Sequence, residues 1–86
     1  MVYLDNMARK FGRMILCHMV ADTVEELHQM AEKIGVNRRW FQEKSFPHYD
    51  VCLSKAALAV SLGAKDVSQI ELGRIILKLK ESEKKP

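Results

Sequence analysis

Three histidines carry more chemistry than packing requires, and their positions suggest what that chemistry is. His18 interrupts the apolar run 14–20, His28 follows Val24 by four residues, and His48 stands two residues before Asp50. On a strand, residues two apart share a face, so His48 and Asp50 form one carboxylate–imidazole pair. His18 and Asp22 form a second candidate pair. An imidazole oriented by a carboxylate titrates near neutrality and serves as an acid or base, which makes His18, His28, His48 and Asp50 the catalytic candidates. The same imidazoles with Asp22 or Asp50 suit zinc, manganese or iron. The sequence has no zinc-protease helix motif, EF-hand loop or paired-cysteine motif, so no cofactor is expected on spacing alone and a divalent metal is the alternative. The plainer reading leaves each histidine hydrogen-bonded to backbone or carboxylate, because an unmatched buried polar group costs about 1–3 kcal/mol.

The second feature is Arg38-Arg39-Trp40-Phe41. Guanidinium forks grip phosphate and an indole stacks on a base. Arg13, Lys44 and Lys55 are basic residues that could join them. The expected ligand-binding set is Arg13, His18, His28, Arg38, Arg39, Trp40, His48, Asp50 and Lys55. Against this stands the reading in which Trp40 is core and the arginines are edge charges. Cys17 and Cys52 have no second pair and no cationic cluster beside them, so free thiols in a reducing cytoplasm are expected rather than a disulfide, a four-cysteine zinc site or an activated nucleophile.

The elements that must position these groups fit one small domain. The chain has 86 residues, 48% hydrophobic and 29% charged, with a net charge of +3 that owes much to the C-terminal lysines. That length supports a single core, read as residues 1–80 with a solvated basic tail at 81–86. The start of the chain lacks the basic and apolar regions of a signal peptide, and no stretch suits a membrane span. A nucleic-acid binder would carry a denser basic face. Five methionines and an apolar last helix exceed what so short a chain readily buries, which predicts a homo-oligomer.

Residues 2–5 read as a short strand, 6–13 as a loop and 14–20 as a central strand buried on both faces. Thr23 with Glu26 forms a capping box for a helix over 23–34, closed by Gly35 with Val36 packing back. Residues 38–42 alternate in character and predict a strand that completes a β-α-β unit. Ser54 is expected to cap a mostly buried helix ending at Leu62. Ser68 with Glu71 caps a last helix whose inward stripe is Leu72, Ile75, Ile76 and Leu79. The connection 63–67 is too long for a helix-turn-helix motif. The expected fold is α+β, with a small three- to four-stranded sheet, one β-α-β unit and two further helices near the C-terminus.

Tyr3-Leu4-Asp5, His18-Met19-Val20-Ala21-Asp22, Glu26-Leu27-His28, Arg39-Trp40-Phe41-Gln42, His48-Tyr49-Asp50 and Gly63-Ala64, taken in order, resemble the small phage and bacterial family called domain of unknown function 4031. The resemblance implies no activity. It implies that Asp5, His18, Asp22, His28, Arg39, Trp40, His48 and Asp50 are to be tested together, and by analogy a phage role such as sequestering a nucleotide signal. The leading expectation is a small protein that binds a phosphate-bearing ligand, a nucleotide or nucleotide signal. Its alternatives are a histidine- or metal-dependent phosphodiester hydrolase, and a structural subunit without a small-molecule site.

Overall fold

A computed structural model describes residues 1–5, 9–11 and 14–83, with backbone alone for 9–11, 14, 15, 82 and 83. In chain order the elements are β1 (Val2–Asp5), β2 (Arg9–Phe11), β3 (Met14–Ala21), α1 (Val24–Lys33), a 3-10 turn (Arg38–Trp40), β4 (Tyr49–Cys52), α2 (Leu53–Ser61), β5 (Lys65–Val67) and α3 (Gln69–Glu83). The fold is α+β. Strand β3 is the centre of a mixed sheet: Met19 pairs with both Leu4 of β1 and Tyr49 of β4, so those strands lie on its opposite edges. Beyond β1 lies β5, parallel to it, and β2 pairs with the first residues of β3.

Alternation along the strands divides the core in two. Leu4, Cys17, Met19, Tyr49 and Val51 face α1 and α2, where they meet Leu27, Ala31, Ala56 and Ala59. Val20 and Val67 face α3 and meet Leu72, with Tyr3, Phe46, Ile75 and Ile76 around them. Each face therefore has its own helical cover, and side chains one residue apart on a strand enter different environments.

Helix α1 begins as its residues predict. The Thr23 hydroxyl accepts from the Glu26 N–H at 3.1 Å, and Glu25, Glu26 and Lys33 complement the helix dipole. Gly35, at φ +78°, turns the chain out of the helix while Val36 N–H bonds back to the Ala31 carbonyl at 2.8 Å. The Ser68 hydroxyl likewise accepts from Glu71 N–H at the start of α3.

Several expectations change. Residues 38–40 form a 3-10 turn rather than a strand, because the Asn37 side chain accepts from Arg39 N–H and the local bonds close on themselves. The strand completing the β-α-β order is therefore β4, and it runs antiparallel to β3. Helix α2 starts at Leu53 with no side-chain cap, and Ser54 instead meets the Cys52 thiol at 3.3 Å. Only Ala56 and Ala59 of α2 are buried, leaving Leu53, Leu58 and Val60 exposed, so its apolar composition does not make it a core helix. Short strands also occupy 9–11, within the expected loop, and 65–67, within the connection before α3.

Candidate metal centre

The sheet register builds the site. Continuing the antiparallel pairing of Leu4 with Met19 sets Asp5 opposite His18, and His18 pairs with Asp50 on the other edge. Asp5, His18 and Asp50 thus form one row across three strands, on the face turned toward α3. His48 immediately precedes β4 and is held by a two-bond bridge to Gln42, with both N···O distances 2.9 Å. Its ring lies edge-on to that of His18, the centroids 5.5 Å apart.

Hydrogen bonding decides which atoms face the centre. Asp5, only 2% exposed, accepts from the His18 main-chain N–H at 3.0 Å and meets His18 Nδ1 at 2.8 Å. His48 Nδ1 meets the Phe46 carbonyl at 2.9 Å. A carboxylate and a carbonyl oxygen can only accept here, so these partners assign the imidazole protons to Nδ1 in both rings. Nε2 is then the ring nitrogen that each histidine turns toward Asp50. Asp50 Oδ1 lies 3.6 Å from His18 Nε2 and 3.7 Å from His48 Nε2. The other oxygen of Asp50 accepts from the Gln42 amide at 3.0 Å. Oδ1 itself is buried and has no hydrogen-bond partner among the described residues.

This donor set has the composition and size of a metal site. One nitrogen from each histidine and a carboxylate oxygen of Asp50 lie within 4.8 Å of one another. Two ligands each about 2.1 Å from a tetrahedral ion stand roughly 3.4 Å apart, close to both of the Asp50 separations. Each ligand also has an outer partner: Asp5 behind His18, the Phe46 carbonyl behind His48 and Gln42 behind Asp50. Such partners fix ring orientation and tautomer in metal centres. Phe46 walls the site, its ring 4.4 Å from that of His48 and 6.1 Å from that of His18. Ser45, just before it, holds a positive φ of 68°, an uncommon backbone state for a residue with a side chain. Beyond Phe46, a cavity of about 240 Å³ opens between the end of β3, α1 and α3.

The other candidates lie elsewhere. His28 is on α1 on the far side of the sheet, sharing a 2.7 Å hydrogen bond with the Tyr49 hydroxyl and packing edge-on to Phe41. Asp22 accepts from the Tyr3 hydroxyl at 3.1 Å and does not join the row. Arg38 is paired with Glu32. Arg39 lies over the ring of Trp40, which is exposed rather than core. The Lys55 ammonium sits beside Gly35 at the end of α1. Arg13 lies outside the described residues. Gln42 and Phe46 were not singled out by residue type, and Asp5 entered only through the family resemblance.

The thiols diverge. Burial pushes Cys17 above the ordinary thiol range, with Asp5 adding to the effect. Cys52 is lowered, first by the Ser54 hydroxyl and then by backbone N–H groups. Both cysteines are free, and no helix among the described residues is long and apolar enough to cross a membrane.

No curated protein and no solved structure matches the chain. A family model described as protein of unknown function, DUF4031, matches residues 2–79, a span that includes His18, His48, Asp50 and their three outer partners, and the chain belongs to that family.

Proposed function

We propose that the protein binds a divalent transition metal through His18, His48 and Asp50, and that the coordination positions left open hold a phosphate-bearing small molecule. The observation that carries this reading is Asp50 Oδ1, buried without a hydrogen-bond donor among the described residues and facing two imidazole nitrogens. Leaving a buried acceptor unmatched costs about 1–3 kcal/mol, and a cation at the shared focus removes that cost. Charge argues the same way. Coordination through Nε2 requires both imidazoles to be neutral, and the carboxylates of Asp5 and Asp50 would then contribute two negative charges, which a dication balances. Zinc, manganese and iron(II) accept this donor set, and three protein ligands leave room for water and an exogenous oxygen. Phosphate oxygens are suited to such positions.

Calorimetric titration of chelator-stripped protein with Zn²⁺ or Mn²⁺ tests the reading. One ion per chain is expected, with binding lost in both His18→Ala and His48→Ala. No uptake of either ion, or unchanged uptake in those variants, refutes it.

Hydrolysis is a second reading, favoured by the three-ligand count. An ion held by His18, His48 and Asp50 would supply Lewis acidity and lower the pKa of water, so that addition of water to phosphorus would form one P–O bond as the ester P–O bond breaks and the alcohol leaves with the proton that water gives up. Product release from nucleotides and short nucleic acids, dependent on the metal, separates an enzyme from a binder. The cytoplasm is the proposed location, because two free cysteines suit a reducing compartment. A homo-oligomer remains part of the proposal, supported by the exposed Leu53, Leu58 and Val60 of α2.

A further inference from the structure

We propose that Trp40, backed by Arg39, is the platform on which the base of a nucleoside monophosphate stacks while its phosphate reaches the ion at His18, His48 and Asp50. This inference rests on the metal reading above and names the ligand class of the same site.

Trp40 is 58% exposed, yet its backbone is closely held. The Asn37 side chain accepts from Arg39 N–H at 3.0 Å, Asn37 carbonyl from Trp40 N–H at 3.1 Å, and Arg38 carbonyl from Phe41 N–H at 2.9 Å. On the next residue the chain is anchored again, with the Phe41 ring packed 4.6 Å from His28 and 5.6 Å from Tyr49. A large aromatic presented on an ordered turn binds with little further loss of conformational freedom. The Arg39 guanidinium lies 5.0 Å from the indole centroid, a cation–π contact that places a positive charge over one face of the indole.

The link to the centre is Gln42. Gln42 follows directly after Phe41, which packs into the core under α1, and stands two residues beyond Trp40 at the end of the 3-10 turn. The Gln42 amide donates to Asp50 at 3.0 Å, and its backbone bridges His48. Trp40 is therefore two residues, at most about 7 Å of backbone, from the group that touches the metal ligands. That span is comparable to the ribose phosphate separating a base from its phosphate oxygens. Arg38 is committed to Glu32, so Arg39 is the guanidinium on this side of the turn that the ligand meets.

Trp40 is the single tryptophan of the chain, so its fluorescence reports stacking directly. Adenosine monophosphate and ribose 5-phosphate are titrated into Zn²⁺-loaded and chelator-stripped protein, with excitation at the red edge, where adenine does not absorb. The expected result in the loaded protein is saturable quenching by the nucleotide alone, and affinity for it about tenfold or more above that for the sugar phosphate. Trp40→Leu should abolish that preference, as read by calorimetry. Equal affinities, or a nucleotide that leaves the emission unchanged, overturn the platform even where Zn²⁺ is taken up. Quenching by the nucleotide without metal uptake upholds the platform and overturns the metal reading.

Discussion

Asparagine in place of Asp5 keeps the shape of the side chain and removes one acceptor, which makes Asp5→Asn a sharp test of how the centre is organised. Asp5 receives two N–H groups from the same residue, the main chain of His18 at 3.0 Å and its ring at 2.8 Å, and at 2% exposure it has no solvent to stand in for a lost bond. An amide offers one oxygen and one NH₂. If the oxygen keeps the main-chain N–H, the NH₂ faces Nδ1, and the imidazole proton must move to Nε2, the atom assigned to the metal. If the amide is reversed, a main-chain N–H is left facing an NH₂, at about 1–3 kcal/mol. Losing the carboxylate also removes a negative charge behind the ion, so the electrostatic and tautomeric effects share a sign. Loss of such an outer partner weakens metal binding by about 10–100-fold, or roughly 1.4–2.7 kcal/mol. Competition between the protein and a chromophoric chelator for Zn²⁺, well below the unfolding temperature, measures the change. Asp5→Asn within twofold of the parent protein, while His18→Ala loses binding, would falsify the claim that Asp5 orients His18.

His28→Ala removes the partner of the buried Tyr49 hydroxyl on the opposite face of the sheet. It should cost about 1–3 kcal/mol, seen as a lower Tm, while calorimetry still finds one Zn²⁺ per chain; lost metal binding in a folded variant would return His28 to the site. Burial raises both tyrosines, with Asp22 reinforcing the effect on Tyr3. The unfolded chain ionises first, so their contribution is intact below about pH 10 and declines as pH rises through the higher folded values; denaturant melts between neutral and strongly alkaline pH read it, and Tyr3→Phe should make the decline shallower. Leu58→Glu places charge on the exposed side of α2. Light scattering should find the parent protein as an oligomer and this variant as a monomer, and a monomeric parent protein removes the oligomer proposal.

The sequence was informative where structure depends on neighbours along the chain. Thr23 and Ser68 mark helix starts through bonds to residues three positions ahead, and Gly35 ends α1 through its own backbone freedom, so each could be read locally. The segment 38–42 was misread because alternation of charge and bulk resembles a strand, whereas the decisive contact is one amide side chain, Asn37, closing on Arg39. Helix α2 was misjudged for a different reason: its apolar count says nothing of how much of its circumference meets the sheet, and only Ala56 and Ala59 do so closely. The histidines show the same limit. His28 lies within the helix expected over 23–34, but which face of the sheet α1 covers is a tertiary fact, and it separates His28 from His18.

The register also explains why so small a domain can hold a preorganised centre. A one-residue slip of β4 against β3 would exchange Asp50 for Tyr49 or Val51 on the α3 face and insert a polar residue among Leu27, Met19 and Ala56. The hydrophobic division of the sheet therefore fixes the Asp50–His18 separation, and the apolar core is what holds the ligands in place. His48 lies outside β4 and depends on its bridge to Gln42, so its position rests on two backbone bonds and the packing of Phe46 rather than on a long ladder. Rigid placement of two ligands on the sheet, with the third on a shorter attachment beside the Trp40 turn, gives the centre one side able to adjust to what binds there. That side is where ligand selection is expected to act, while His18, between Asp5 and Asp50 in the middle strand, would set the position of the proposed ion.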